Sequence, residues 1–195
     1  MITKNEIRSK RIFDLLLSLF LIPIAIVPII IFVSIATIET GQFGLFTQSR
    51  VGQHAKLFRI YKIRTLKRGK HKLGHLDLYA TTFGKILRRF KLDELPQLFN
   101  VLIGDMSFVG PRPDIVGFAN ELQGEDRIIL KIKPGVTGPA TIKYRDEEAI
   151  LALQDDPEKY NRTIIWTDKV EINKNYIQNW SFSLDLKYIL QSIFS

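Results

Sequence analysis

Asp93 and Glu94 are adjacent carboxylates in residues 92–113, LDELPQLFNVLIGDMSFVGPRP, and their surroundings suggest chemistry at a phosphate. Upstream, Lys85, Arg88, Arg89 and Lys91 place four cations in seven residues; downstream, the stiff turn Gly110-Pro111-Arg112-Pro113 restricts Arg112. A guanidinium grips phosphate through a planar fork, and Mg²⁺ takes carboxylate and phosphate oxygens together. Carboxylates held between fixed cations therefore suit a phosphorylated substrate and a divalent metal. Taken alone, an Asp-Glu pair is also an ordinary helix start.

The pair needs an element to hold it. Leu95, Leu98, Phe99 and Leu102 recur at helical spacing and Gly104 supplies a stop, which predicts a short amphipathic helix beginning near Asp93. Pro96 fits its first turn, where a missing N–H has no intrahelical acceptor. At the positive end of that helix Asp93 is expected to stay ionised, and a phosphate could share the field.

The whole chain is 195 residues with 28 Lys+Arg against 20 Asp+Glu, a formal charge of +8 that points to a polyanionic neighbour. It has no cysteine, which removes disulfides, thiolate nucleophiles and cysteine-bound zinc. Residues 12–38 are almost wholly apolar and, as a helix, would run about 40 Å against roughly 30 Å of bilayer hydrocarbon. Three forms compete: a cleaved leader ending near Ser34-Ile35-Ala36, a straight span, and a re-entrant hairpin. Lys4, Arg8, Lys10 and Arg11 precede the segment and Arg50, Lys56, Arg59, Lys62 and Arg64 follow it, so the positive-inside rule draws both flanks to the cytoplasm. A proline break at Pro23 or Pro28 would satisfy both pulls. Asp14 is expected to pair with Lys10 or Arg11 at the interface.

Beyond the membrane segment, residues 41–66 read as short, partly buried strands around a turn at Gly52. Their alternating aromatics and cations would also suit nucleic acid, which the apolar segment argues against. His71 and His75 have a metal-ligand spacing, but Gly69 and Gly74 favour a polar loop. Residues 116–123 predict a short amphipathic helix, residues 131–139 a rigid link, and Asp146-Glu147-Glu148 a helix opening. Leu186, Ile189, Leu190 and Ile193 form a C-terminal stripe that suits either the core or a membrane interface.

Together these segments resemble the small monotopic phosphoglycosyl transferases (PglC-like) of the bacterial sugar transferase family. The resemblance rests on Lys10-Arg11-Ile12-Phe13-Asp14, Phe46-Thr47-Gln48-Ser49-Arg50-Val51-Gly52, Tyr61-Lys62-Ile63-Arg64-Thr65, the central run and Lys133-Pro134-Gly135-Val136-Thr137-Gly138. It implies an α+β, mainly helical fold, with a re-entrant membrane hairpin (residues 1–40) and a cytosolic catalytic domain (41–195) carrying a small β-hairpin and interfacial amphipathic helices. It implies transfer of a sugar 1-phosphate from a nucleoside diphosphate sugar, usually a UDP-sugar, to undecaprenyl phosphate, opening glycoconjugate or polysaccharide assembly. Asp93 matches the nucleophile and Mg²⁺ ligand, Glu94 its partner, and Arg88 and Arg112 the phosphate-holding positions, with Pro111 beside them. Lys62, Arg64 and Arg145 are further candidates, and Lys10, Arg11, Asp14 and Pro28 belong to the anchor. The implied location is the cytoplasmic face of a bacterial inner membrane among anionic lipids; nucleic acid is not expected and a homo-oligomer is left open. Departures are Val27, where the family commonly has serine before the proline, and the Pro139-Ala140-Thr141 and acidic segments, which suggest a different sugar. A non-catalytic membrane-surface scaffold is the alternative.

Overall fold

The computed structural model describes residues 2–194. Its first element, α1 (Lys4–Thr40), opens on a capping box between Thr3 and Glu6 and closes on Gly41 in the left-handed region. The helix runs without interruption through Pro23 and Pro28, where two separate arms were expected. Each proline withdraws one N–H, and the rest of the backbone ladder carries the helix across that gap.

Both ends of α1 are held by the same body. Near its start Lys10 pairs with Asp185, and Arg11 donates to the carbonyls of Val101 and Leu102 at 2.5 and 2.7 Å. Asp14 accepts from Ser107 Oγ at 3.1 Å and Phe108 N at 3.0 Å. The expected local pairing of Asp14 with Lys10 or Arg11 is thus replaced by long-range partners, which satisfy more of its lone pairs than one neighbouring cation could. Near its finish Gly44 N donates to Thr37 Oγ1 and Phe32 meets Phe83 edge to face. Between these ends Leu16, Phe20, Ile24, Val27 and Ile30 are exposed, an apolar surface too long for a water-facing helix, and α1 is long and apolar enough to cross a membrane.

The expected β-hairpin forms. β1 (Leu45–Val51) pairs antiparallel with β2 (Leu57–Ile63), Leu45 opposite Ile63 and Val51 opposite Leu57, around a one-turn 3-10 segment after Gly52. Two small helices follow, α2 (Leu76–Tyr79) and α3 (Thr82–Arg89), the second capped by Thr81. Next come a 3-10 turn at Leu92–Glu94 and α4 (Gln97–Ile103). β3 (Ser107–Val109) pairs parallel with β4 (Gly135–Thr137), so the rigid link expected at 131–139 is partly a strand. The helix expected over 116–123 shrinks to the turn Ala119–Glu121, because Gly117 and Gly124 both take positive φ at its flanks.

The C-terminal third is helical: α5 (Pro139–Lys143), α6 (Glu147–Ala152) opening on the acidic run as expected, α7 (Pro157–Tyr160), α8 (Trp166–Gln178) and α9 (Phe182–Phe194). The principal core joins Ala25 and Ile29 of α1 to Val51 and Ile60 of the hairpin, Leu98 and Val101 of α4, and Val170 and Ile177 of α8. The C-terminal stripe divides: Ile189 packs against this core, while Leu186, Leu190 and Ile193 are exposed.

Candidate active site

The chain enters the site through a forced turn. Lys91 takes the left-handed conformation (φ 56°) and sends residues 92–94 into a 3-10 turn, while Pro96 caps α4. The carboxylates therefore precede the helix instead of lying in its first turn. Proline tolerates that junction, and the turn buries Asp93 and Glu94 together. α4 ends on Gly104 at φ 93°, a conformation open to glycine. The helix is pinned to β2 by Asn100, whose Oδ1 accepts from Tyr61 N at 3.1 Å and whose Nδ2 donates to the Arg59 carbonyl at 2.7 Å. That clamp fixes the approach of Lys62 to Glu94.

Arg112 arrives from the opposite side on the Gly-Pro-Arg-Pro turn. Gly110 N donates to Thr137 O and Gly135 N to Pro111 O, at 2.9 and 2.8 Å. A side chain at Gly110 would stand 2.5 Å from the Lys133 carbonyl, so only glycine lets the turn seat there. Pro111 thus supports the turn from behind and lines a smaller recess, outside the cavity that receives Arg112.

The two carboxylates meet different fates. Glu94 Oε1 accepts from Lys62 Nζ at 2.8 Å and Arg112 NH2 at 2.6 Å. These two cations overcome the penalty of burial and hold Glu94 well below the ordinary carboxylate range. Asp93 has no hydrogen bond or ion pair among the described residues; burial pushes its carboxyl up, while Lys62, Arg88 and Arg112 pull against that rise. The helix end expected to favour an ionised Asp93 is thus replaced by nearby cations that oppose the effect of burial. Glu94 in turn keeps Arg112 charged far above its ordinary range.

Both carboxylates line a cavity of about 860 Å³, large enough for a nucleotide-sized ligand. Lys62, Arg64, Arg88, Lys91, Arg112 and Arg145 line it too, so every predicted phosphate-holding residue except Pro111 reaches one space. Arg88 Nε also bonds the exposed Asp77 at 3.3 Å, and Arg64 Nε the Phe43 carbonyl at 3.0 Å. The histidine spacing yields no cluster: His71 bonds the Lys67 carbonyl, and no group of three or more His, Asp or Glu side chains suited to a metal occurs among the described residues.

The donor set nonetheless fits Mg²⁺. That ion keeps several waters and is commonly bound by one or two carboxylates together with substrate phosphates. Asp93 offers a carboxylate at the cavity wall that is unengaged among the described residues, in a cavity also lined by Lys62, Arg88 and Arg112. Glu94 Oε1 is already held by two cations.

Sequence reasoning missed the far wall. Asp114, Thr141, Tyr144, Trp166, Lys169 and Asn173 also line the cavity. Burial pushes Asp114 up to about 6, against the pull of Lys169, Arg50 and Arg112. A signal existed in α8: Lys169 and Asn173 interleave with Val170 and Ile177 on its buried side, where polar residues need a reason.

The chain matches the family model described as bacterial sugar transferase over residues 5–195. It is 34% identical over 187 residues to the sugar transferase EpsL of Bacillus subtilis, covering 94% of this chain and 85% of that one. It is 36% identical over 196 residues to the UDP-glucose:undecaprenyl-phosphate glucose-1-phosphate transferase of Klebsiella pneumoniae, and 33% identical over 196 residues to the protein of that name in Escherichia coli. In both cases the match covers 95% of this chain but 39% of the longer relative. With residues 5–195 matched in one continuous stretch, the chain belongs to the bacterial sugar transferase family.

Proposed function

We propose that this enzyme transfers a sugar 1-phosphate from a UDP-sugar to undecaprenyl phosphate through a phosphosugar held on Asp93. One observation carries the reading: Asp93 is a buried carboxylate with no protein partner among the described residues, at the wall of a cation-lined cavity, beside a glutamate whose own charge is fully occupied. A structural carboxylate in that position would be paired.

In the first half-reaction an Asp93 oxygen attacks the phosphorus bonded to the sugar. The P–O bond to the second phosphate breaks, its electron pair leaves with UMP, and an acyl phosphate remains on Asp93. In the second, an oxygen of undecaprenyl phosphate attacks that phosphorus and returns the carboxylate. Arg88 and Arg112 hold the diphosphate, and Arg64 and Arg145 extend the cationic wall. Lys62 and Arg112 neutralise Glu94, so that the incoming anion meets cations first. Mg²⁺ on Asp93 would offset repulsion between carboxylate and diphosphate and keep Asp93 ionised when the site closes on substrate.

We place residues 1–40 as a monotopic anchor that keeps both ends of α1 on one side of the bilayer, and 41–195 as the catalytic part on the cytoplasmic face of the inner membrane. The support is mechanical: Lys10 and Arg11 at one end of α1, and Thr37 at the other, bond the same body, which a helix delivering its N-terminus across the bilayer would prevent. The exposed Leu186, Leu190 and Ile193 of α9 add an apolar surface suited to lipid.

The test is UMP release from a panel of UDP-sugars with undecaprenyl phosphate and Mg²⁺, comparing the solubilised wild type with Asp93→Asn. Release by wild type and not by the variant is expected. Equal release by both would remove Asp93 as nucleophile, and no release from any donor by folded wild type would favour the scaffold reading.

A further inference from the structure

Five buried side-chain polar atoms have no hydrogen-bond partner among the described residues: Arg50 Nε, Gln97 Nε2, Thr141 Oγ1, Asn173 Oδ1 and Trp180 Nε1. Three of these residues, Arg50, Thr141 and Asn173, line the large cavity, while Gln97 and Trp180 do not. Buried polar groups are nearly always paired, so orphans on residues that line one cavity point to a partner that enters it. Asn173 is 3% exposed, and its amide cannot turn to bulk water.

These orphans sit where the cavity changes character. Around Asp93 the wall is cationic. At the seam of α5 and α8, which carry Thr141 and Asn173, Lys169 is matched by Glu147 at 2.6 Å, so local charge is balanced. Trp166, Lys169 and Asn173 follow one another at i, i+3 and i+7 of α8 and all three reach the cavity, giving a flat aromatic wall beside the polar groups. A hydroxyl and an amide next to an indole suit an uncharged ring with a polar edge, not a phosphate.

We propose that Thr141 and Asn173, at the seam of α5 and α8, form a specificity-determining subsite that hydrogen-bonds a neutral hydroxyl- or amide-bearing ring of the nucleotide-sugar donor. This rests on the donor class given above. With the diphosphate at the cationic end, a neutral ring lies on each side of it, the pyrimidine nucleoside and the sugar, and the chemistry of the orphans is shared by both. A site built to bond such groups discriminates strongly, because the wrong ring leaves its buried polar atoms unpaired.

The experiment uses the full chain in detergent, with Thr141→Val and Asn173→Leu as near-isosteric variants. Melting temperature without ligand, direct Kd for UMP and for a UDP-sugar, and KM and kcat are measured on each. The orphans lack partners in the free protein, so the expected melting temperature is equal to wild type or higher. The expected Kd for UDP-sugar rises about fivefold to tenfold, with KM affected more than kcat. An equal rise for UMP assigns the ring to the base; an unchanged UMP affinity assigns it to the sugar. Affinities for both ligands within twofold of wild type in a folded variant would overturn the proposal, as would a lowered melting temperature in Thr141→Val with unchanged affinities, which marks a packing role. Should wild type release no UMP, the proposed reaction fails while the binding comparison still decides the subsite.

Discussion

Two of the clusters of buried charge among the described residues are built on opposite principles. The first joins α1, α8, α9 and β3. Asp185 takes Lys10 and the Tyr176 hydroxyl, and Asp14 takes Ser107 and the Phe108 amide, so both acids are answered from within the fold. The second joins the 3-10 turn, β2 and the Gly-Pro-Arg-Pro turn. There Glu94 is answered twice and Asp93, among the described residues, not at all. Burying a charge is costly in either place. In the closed cluster each acid has hydrogen-bond partners inside the protein, and the product is a fixed geometry. In the open one the surplus cations face a cavity, where an anion from outside could meet them.

The contrast breaks most sharply at the acids. Asp93→Asn is expected to lower turnover by about 10⁴-fold or more, some 5 kcal/mol in the barrier, while melting at or slightly above wild type. Retention of turnover within tenfold, or a large loss of stability, would erase the distinction. Asp185→Asn is expected to do the reverse. It leaves Lys10 buried opposite a neutral group and costs about 3–5 kcal/mol in chemical denaturation, with activity per folded molecule kept. A selective loss of activity there would show that the closed cluster takes part in chemistry.

Asp114 tests the edge of the open cluster through pH. Its pKa is raised to about 6 in the folded protein from an ordinary 3.8, so the folded state holds a proton that the unfolded state has released. Stability from this group is therefore full below about 4, falls as pH rises toward 6 and stays lost above it. Asp114→Asn is expected to flatten that slope and raise the melting temperature at pH 7 by about 3 °C, within the range set by one or two kcal/mol. A slope that survives the substitution would assign it elsewhere. The smallest effect is expected at Asp77, an exposed partner of Arg88: Asp77→Asn changes stability by less than about 0.5 kcal/mol. A larger loss would extend the buried network to the surface.

Much of the open cluster was legible because it is written locally. Asp93, Glu94 and the glycine-proline turn lie within twenty residues, and the cations reveal themselves by type. The 3-10 turn was not legible, since Pro96 is equally at home inside a first turn and just before one. The partners of Asp14 lie more than ninety residues away, and no periodicity points to them. β3 and β4 are three residues each, too short to show alternation, and their pairing lies beside the close approach of Gly110 to the Lys133 carbonyl. The α5–α8 wall stayed hidden for a related reason: which side of α8 faces a cavity depends on helices that come together from distant parts of the chain.

Arg11 gives the anchor a second meaning. Its guanidinium bonds the last-turn carbonyls of α4 at Val101, which also accepts from Gly104 N, and at Leu102. Through Arg11, α1 thus helps to cap the C-terminus of α4, the helix that follows the Leu92–Glu94 turn. Cutting the chain after α1 would not yield a soluble enzyme released from its tether. It would strip that cap, leave Asp185 with Tyr176 but without Lys10, and bare the apolar contacts of Ala25 and Ile29, so truncation after α1 removes contacts on which the rest of the fold rests.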